Sequence, residues 1–466
     1  MAHHVSSKYL DLTKKKLELT RLPHERRGEE EGKVGGDAES EQMNEEGVVT
    51  KKEIEGLIDY WQENYSWRTR EDYYNSAYPQ YRTTFTIPKS NSNAQEGSSQ
   101  SLRIHFIHIR SSHANAVPLL LVPSFPNSNL SLDIEGLSKE LCEPEILGEN
   151  DQEHGSRQRR EHKQAFDVVI PSIPGTGFSD EIPGSRADVM GETARLFGQL
   201  MKRLGYEYYI ASMMGSGRER GGEVDYYLGR RIGDLEGCRG VHLIEPRWGV
   251  PTVKEGIWDW NPDENVVVEW EEKKNRKWSR YEYWLREPDA IAYALCDSPV
   301  GLLSFVATAL KKKNPKHQLS KEKIIDLCQL CWLPGPEAAL RYYANAVQES
   351  EQLEGEKKNR KRQRVAITVF NGEETAVGYS PPAWGMGMHE VVFVQRASGK
   401  AGLLEWERSN VIFEGIRGLA NEAIRLDDKI QLRRLEGVVV DRGLEHLESS
   451  HGMQLDVESP DTIVAG

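Results

Sequence analysis

The sequence predicts an α/β protein: a mainly parallel sheet with helices on both faces, interrupted by a helical cap and preceded by an N-terminal arm. Three observations predict it. Short apolar runs of strand length recur along the chain, and helical patterns such as Ala187 to Leu204 lie between them. A long helical stretch rich in Trp and Tyr, from roughly Trp248 to Val347, then separates the first five runs from the last two. Short apolar strands alternating with helices are buried on both faces, which is the pattern of a parallel sheet covered by helices.

Taken in order, residues 1–100 form the arm with an acidic insertion, 101–245 the first part of the sheet core, 246–347 the cap, and 348–466 the second part of the core. LRIHFIHI (Leu102 to Ile109), PLLLV (Pro118 to Val122), FDVVIPSI (Phe166 to Ile173), YYIAS (Tyr208 to Ser212) and VHLIE (Val241 to Glu245) supply the first strands. VAITVF (Val365 to Phe370) and EVVFVQ (Glu390 to Gln395) supply the last two. Arg26 to Glu46, Lys89 to Gln100, Glu149 to Lys163 and Glu351 to Arg364 are Gly/Glu-rich, Ser/Asn/Gln-rich or charged, and are expected to be solvated insertions. Trp61, Tyr65 and Trp67 give the arm an apolar face that needs a hydrophobic seat.

Charge and length narrow the function classes. The 466 residues carry 60 Lys plus Arg against 73 Asp plus Glu, a net charge of -13, so the chain as a whole repels phosphate backbones and no nucleic-acid partner is expected. No uncharged apolar run approaches the ~20 residues of a bilayer-spanning helix, and Met1 to Leu10 has no apolar signal-peptide core. A cytoplasmic protein with reduced thiols is expected. The five cysteines, Cys142, Cys238, Cys296, Cys328 and Cys331, are too few and too scattered for a disulfide scaffold. Cys328 and Cys331 have the CxxC spacing but lie in an apolar helical segment with no second ligand pair, so packing explains them better than zinc or redox work. No motif for a metal or an organic cofactor is present, and the oligomeric state is not readable.

In an open parallel sheet, reactive groups lie at the carboxyl ends of strands. Four turns there are informative: Pro123-Ser124-Phe125-Pro126-Asn127-Ser128, Pro174-Gly175-Thr176-Gly177-Phe178-Ser179-Asp180, Met213-Met214-Gly215-Ser216-Gly217, and Asn371-Gly372-Glu373-Glu374.

At these residues the chain resembles the epoxide hydrolases of the microsomal and juvenile-hormone type. LTRLP (Leu19 to Pro23) and YWQENYSWRTREDYYNSAYPQYRTTF (Tyr60 to Phe85) match that family's N-terminal domain. FDVVIPSIPGTGFSD (Phe166 to Asp180), LMKRLGYEYY (Leu200 to Tyr209), DSPVGLL (Asp297 to Leu303) and RYY (Arg341 to Tyr343) extend the match through the chain. The resemblance implies the α/β-hydrolase fold and a two-step chemistry. An elbow Asp attacks the epoxide carbon, a His with an acidic partner activates the water that cleaves the ester, and two cap tyrosines protonate the opening oxygen.

Carried over position by position, the resemblance leaves the shell and loses the centre. Gly215 stands where the nucleophile is expected and Lys400 where the base is expected, while Pro123-Ser124-Phe125-Pro126 replaces the family's His-Gly-Trp-Pro. Glu373 aligns with the acid that partners the missing His, Tyr343 with one cap tyrosine, and Tyr281 or Tyr283 with the other. Three residues offer a substitute nucleophile: Ser216, one place beyond the elbow, and Glu223 or Asp225 if the extra residues of this region precede the turn. Met214 and Arg218 flank Ser216 where a strained elbow prefers small residues, and Arg218-Glu219-Arg220 fits poorly between strand and elbow. Lys400 lies in a Ser-Gly-Lys turn of surface type; a lysine acts as a base only where burial strips its proton.

The three functions compatible with this pattern are an epoxide hydrolase-like protein acting on or binding a hydrophobic epoxide or related small molecule, a non-catalytic binding protein of the same fold, and an acid-assisted isomerase or cyclase. Because a triad acts as a unit, losing both nucleophile and base is expected to abolish the ester route rather than slow it.

Overall fold

The computed structural model describes residues 4–24, 49–88, 99–144, 163–184, 188–217, 222–246, 248, 287–355, 362–371 and 381–427. Eight strands form one sheet: β1 (Gln80–Pro88), β2 (Ser99–Ile109), β3 (Val117–Val122), β4 (Phe166–Pro171), β5 (Tyr209–Ser216), β6 (Cys238–Ile244), β7 (Arg364–Asn371) and β8 (Glu390–Ser398). Their order is β1-β2-β4-β3-β5-β6-β7-β8. The β1–β2 and β2–β4 pairs are antiparallel and all later pairs are parallel, so the expected mainly parallel sheet is present with an antiparallel edge. Every residue of β3 and of β5 is buried, as central strands covered on both faces require.

The helices long enough to pack are α1 (Ser7–Glu18), α2 (Lys51–Glu63), α3 (Trp67–Ala77), α4 (Val189–Arg203), α5 (Gly222–Gly233), α6 (Pro288–Asp297), α7 (Pro299–Lys313), α8 (Lys321–Trp332), α9 (Glu337–Gly355) and α10 (Ser409–Leu426). Local signals place their starts. Thr50 caps α2 with Glu53 in a reciprocal capping box, and Ser298 caps α7 just before Pro299 at its first turn. In α4, Val189, Met190, Thr193, Ala194, Phe197, Leu200 and Met201 recur at helical spacing and are buried, so one face closes on the sheet.

The arm joins sheet to cap through two different seats. Trp61 is buried in a cluster with Leu17, Ile54 and Leu57 of the arm and Leu302, Leu303, Leu310 and Ile325 of α7 and α8. Trp67 and Tyr74 are buried instead with Ile107, Leu119 and Leu121 of the sheet, and Tyr65 packs against both clusters. An ion pair fastens the same junction: Arg70 Nε and Nη2 donate to the Asp326 carboxylate at 3.0 and 2.6 Å, and Tyr65 Oη donates to it at 2.8 Å.

Two strands differ from the sequence reading: β1, which lies in the arm and was not expected because its run Gln80–Pro88 is largely polar, and β5. YYIAS extends to Ser216, because the strand goes on pairing with β3 as far as Val122 opposite Met213 and regains β6 with Ser216 opposite Ile244. Between Ser212 and Ser216 the β5 strand advances four residues while β6 advances two, from His242 to Ile244. Extra residues on one strand bend it locally and re-aim its end. Met213 to Gly215 are therefore bulged strand, not the turn that the sequence suggests.

Candidate active site

The carboxyl ends of β3, β5 and β6 converge with the loop after β8, and buried carboxylates hold them together. Ser124 N–H and Asn127 Nδ2 donate to Glu405 at 2.6 and 2.9 Å, which ties the β3 loop to the β8 loop. Phe125 N–H donates to Asp225 Oδ1 at 3.3 Å. Ser216 Oγ donates to Glu245 Oε2 at 2.7 Å, joining the end of β5 to the residue that follows β6. Glu245 is 5% exposed and Asp225 is 2% exposed.

Glu245 has φ 43°, the one non-glycine residue with positive φ among the described residues. Its N–H donates to Thr368 O at 2.8 Å, which holds the backbone in that conformation. A non-glycine residue there costs ~1–3 kcal/mol and persists only where its surroundings fix it.

Above the strand ends lies a cavity of about 900 Å³. Its walls come from Phe125, Pro126, the Gly175-Thr176-Gly177 turn, the apolar faces of α7 and α8, and Ala339, Leu340 and Tyr343 of α9. Glu245, Lys312, Lys313 and Lys400 also line it. A separate small pocket, which shares Asn127, Lys313, Gly402 and Trp406 with the cavity, is also lined by Gly215, Ser216 and Glu405. The Phe125 ring stacks between the cap tyrosines and the strand end, 5.6 Å from the Tyr342 ring and 6.0 Å from that of Tyr343. Tyr342 is turned away, donating to Thr193 Oγ1 at 3.0 Å, and burial pushes its phenol up. Tyr343, one residue on, faces the cavity.

The residues singled out from the sequence divide into three groups. Tyr343 and Lys400 come together as cavity lining, Lys400 from an exposed turn whose backbone carbonyl accepts from Arg408. Gly215, Ser216 and Asp225 meet beneath it: a Cβ built on Gly215 would lie 2.0 Å from Asp225 Oδ2, so the Asp225 carboxylate covers the place where a side chain of residue 215 would stand. Asp225 reaches that place from the first turn of α5, yet it is not among the residues lining the cavity. Glu373, Tyr281 and Tyr283 lie outside the described residues, as does the Glu223 side chain.

Two carboxylates of the site were missed. Glu245 follows the apolar run VHLI at a strand carboxyl end, the rule already applied to four other turns, and that position was its signal. Glu405 had none, since its role depends on the loop after β8 folding back onto Ser124.

The buried histidines of the sheet are structural. His105 bonds Ser172 and Gln80, His108 bonds Tyr206, and His242 lies between Ser212 at 2.9 Å and Thr368 at 2.8 Å, its imidazole pushed down to about 3 by burial. Cys328 and Cys331 are free thiols of α8, and burial pushes both up. Among the described residues no group of three or more His, Cys, Asp or Glu could hold a metal ion, and no single helix is long and apolar enough to cross a membrane.

Comparison with known proteins agrees with this architecture. Residues 1–132 match the family described as epoxide hydrolase N terminus. A Stigmatella aurantiaca protein carrying an epoxide hydrolase name is 30% identical over 312 residues, covering 65% of this chain and 62% of the relative. The juvenile hormone epoxide hydrolase of Bombyx mori is 26% identical over 310 residues, covering 60% of this chain and 58% of its own. The chain thus spans about three fifths of the length of these relatives. The solved structure of Aspergillus niger epoxide hydrolase superposes with a TM-score of 0.64 at 22% identity, covering 91% of this chain and 96% of that one. The resemblance read from the sequence is borne out: residues 1–132 match the epoxide hydrolase N-terminal family, and the chain has the α/β-hydrolase fold of the epoxide hydrolase structure on which it superposes.

Proposed function

We propose that the chain binds a hydrophobic epoxide or a related small molecule in the cavity beneath α7, α8 and α9, and that the usual ester chemistry does not operate at residue 215. The observation that carries this is the cavity itself, about 900 Å³ of largely apolar wall over the strand ends, with Tyr343 facing into it. That volume is in the range of small-molecule sites, and a few polar groups in an apolar wall are what orient a ligand. The position aligned with the nucleophile has no side chain, and the one aligned with the base is a lysine, whose ammonium has no lone pair to accept a proton.

A ligand that prefers the folded state stabilises it by mass action. Styrene oxide, stilbene oxide, methyl epoxystearate and their diols are therefore expected to raise the melting temperature in a concentration-dependent way. If none of them shifts it, the binding reading fails.

A second reading has one observation in its favour: Asp225 places a carboxylate on Gly215 and accepts from Phe125 N–H, within the segment that aligns with the family's oxyanion loop. It makes Asp225 a relocated nucleophile. Mass spectrometry of protein trapped with epoxide decides, since an ester on the peptide that contains Asp225 would establish this reading and remove the first one's claim about chemistry.

A further inference from the structure

We infer that Glu245 is a catalytic base of this cavity, activating a water for direct, single-step attack on a bound epoxide while Tyr343 supplies the proton to the departing oxygen. The inference rests on the proposed binding of an epoxide in the cavity. Four observations on the molecule support it. Glu245 lies at the carboxyl end of β6, beside the strand end where this fold concentrates its chemistry. It is the one carboxylate among the described residues that line the cavity, and Tyr343 lines the same wall system. Its backbone is held at φ 43°, a conformation that has a cost and that Thr368 O fixes through the N–H. Ser216 Oγ donates to Oε2 at 2.7 Å, which orients the carboxylate.

The step balances without a covalent intermediate. A water gives one proton to the Glu245 carboxylate as its oxygen forms the new C–O bond, the epoxide C–O bond breaks, and the electron pair left on the ring oxygen takes the Tyr343 phenol proton. A diol leaves, and proton return from Glu245 to the phenolate through solvent restores both groups. Direct attack by Glu245 itself would instead form an ester, and cleaving that ester calls for a base at the turn where Lys400 stands. A single-step route needs neither the elbow nucleophile nor the loop base. In this scheme Ser216 is a positioning residue.

The test is a single turnover of excess protein with styrene oxide in heavy-oxygen water, run beside melting-temperature titrations with the same ligand. One heavy oxygen in the diol from the first turnover, with none in any protein carboxylate, is the expected result. Glu245→Gln is expected to lower the rate about 100-fold or more while keeping the ligand-induced melting shift. Ser216→Ala is expected to lower kcat several-fold with KM and the melting shift little changed, because the carboxylate loses the hydrogen bond that orients it. Should Glu245→Gln not fold, Glu245→Asp retracts the same acid and is expected to slow the reaction while keeping the ligand-induced melting shift. Heavy oxygen in a protein carboxylate, no diol at all from a ligand that binds, or an unchanged rate in a folded Glu245→Gln protein overturns the inference and leaves the binding proposal standing. A ligand panel with no melting shift overturns both.

Discussion

At the scale of single residues, the contact between Gly215 and Asp225 decides what the elbow can hold. Any Cβ at 215 meets a buried carboxylate oxygen at 2.0 Å, so an added side chain must displace Asp225 from Phe125 N–H or bend β5. Gly215→Ala is expected to cost ~1–3 kcal/mol, as overpacking in a close-packed interior does. Much of that loss should return in Gly215→Ala/Asp225→Ala, because the two sites share one space. Urea midpoints of Gly215→Ala, Asp225→Ala and the double variant check this, and a double-variant loss equal to the sum of the single losses would show that the space is not shared. Gly215→Asp should likewise fail to restore ester chemistry. The sequence offered Asp225 as a substitute acid, but with ten places between the two it could not show that its carboxylate occupies the space beside Gly215. Counting along the chain also takes no account of a bulge, and between Ser212 and Ser216 the strand gains residues that β6 lacks.

At the scale of elements, what was legible depended on whether a signal was local. Seven of the eight strands announced themselves by an apolar run, and the arm by Trp61, Tyr65 and Trp67, because those residues carry their burial in their own chemistry, whereas the polar β1 did not. Partners brought from far along the chain left no such mark: Asp326 looks like one more acid in a helix until α8 packs on α3 and Arg70 closes on it. The Asp326 side chain is nearly fully buried, so removing one partner strands a charge. Asp326→Ala is expected to destabilise the protein by ~3–5 kcal/mol. Arg70→Met with Asp326→Leu, which removes both charges, should cost much less; a double-variant loss as large as the single one would mean that the pair contributes through packing alone. Thermal or urea unfolding of the two variants makes the comparison.

For the whole molecule, acid should be the weak point. Burial lowers His108 to about 4, His242 to about 3 and His389 to about 4, with help from Arg110 at His108 and from Arg230 at His389. Unfolding returns each imidazole to about 6.5, so below that pH the unfolded chain binds more protons and stability falls as pH falls. The stability these residues keep is present above about pH 6.5 and declines toward pH 4, with a slope of up to ~1.4 kcal/mol per pH unit for each imidazole. Urea midpoints at pH 7, 6 and 5 should fall in that order, and His242→Asn should flatten the slope; a slope unchanged by that variant would count against the assignment. The arm has a consequence of a different kind. Trp61 and its neighbours are buried with Leu302 and Leu310 of α7 and Leu327 of α8, and those same three side chains line the cavity. That wall is thus clasped from without, and the stiffness a guest molecule meets inside is set by residues more than two hundred places earlier in the chain, none of which it touches.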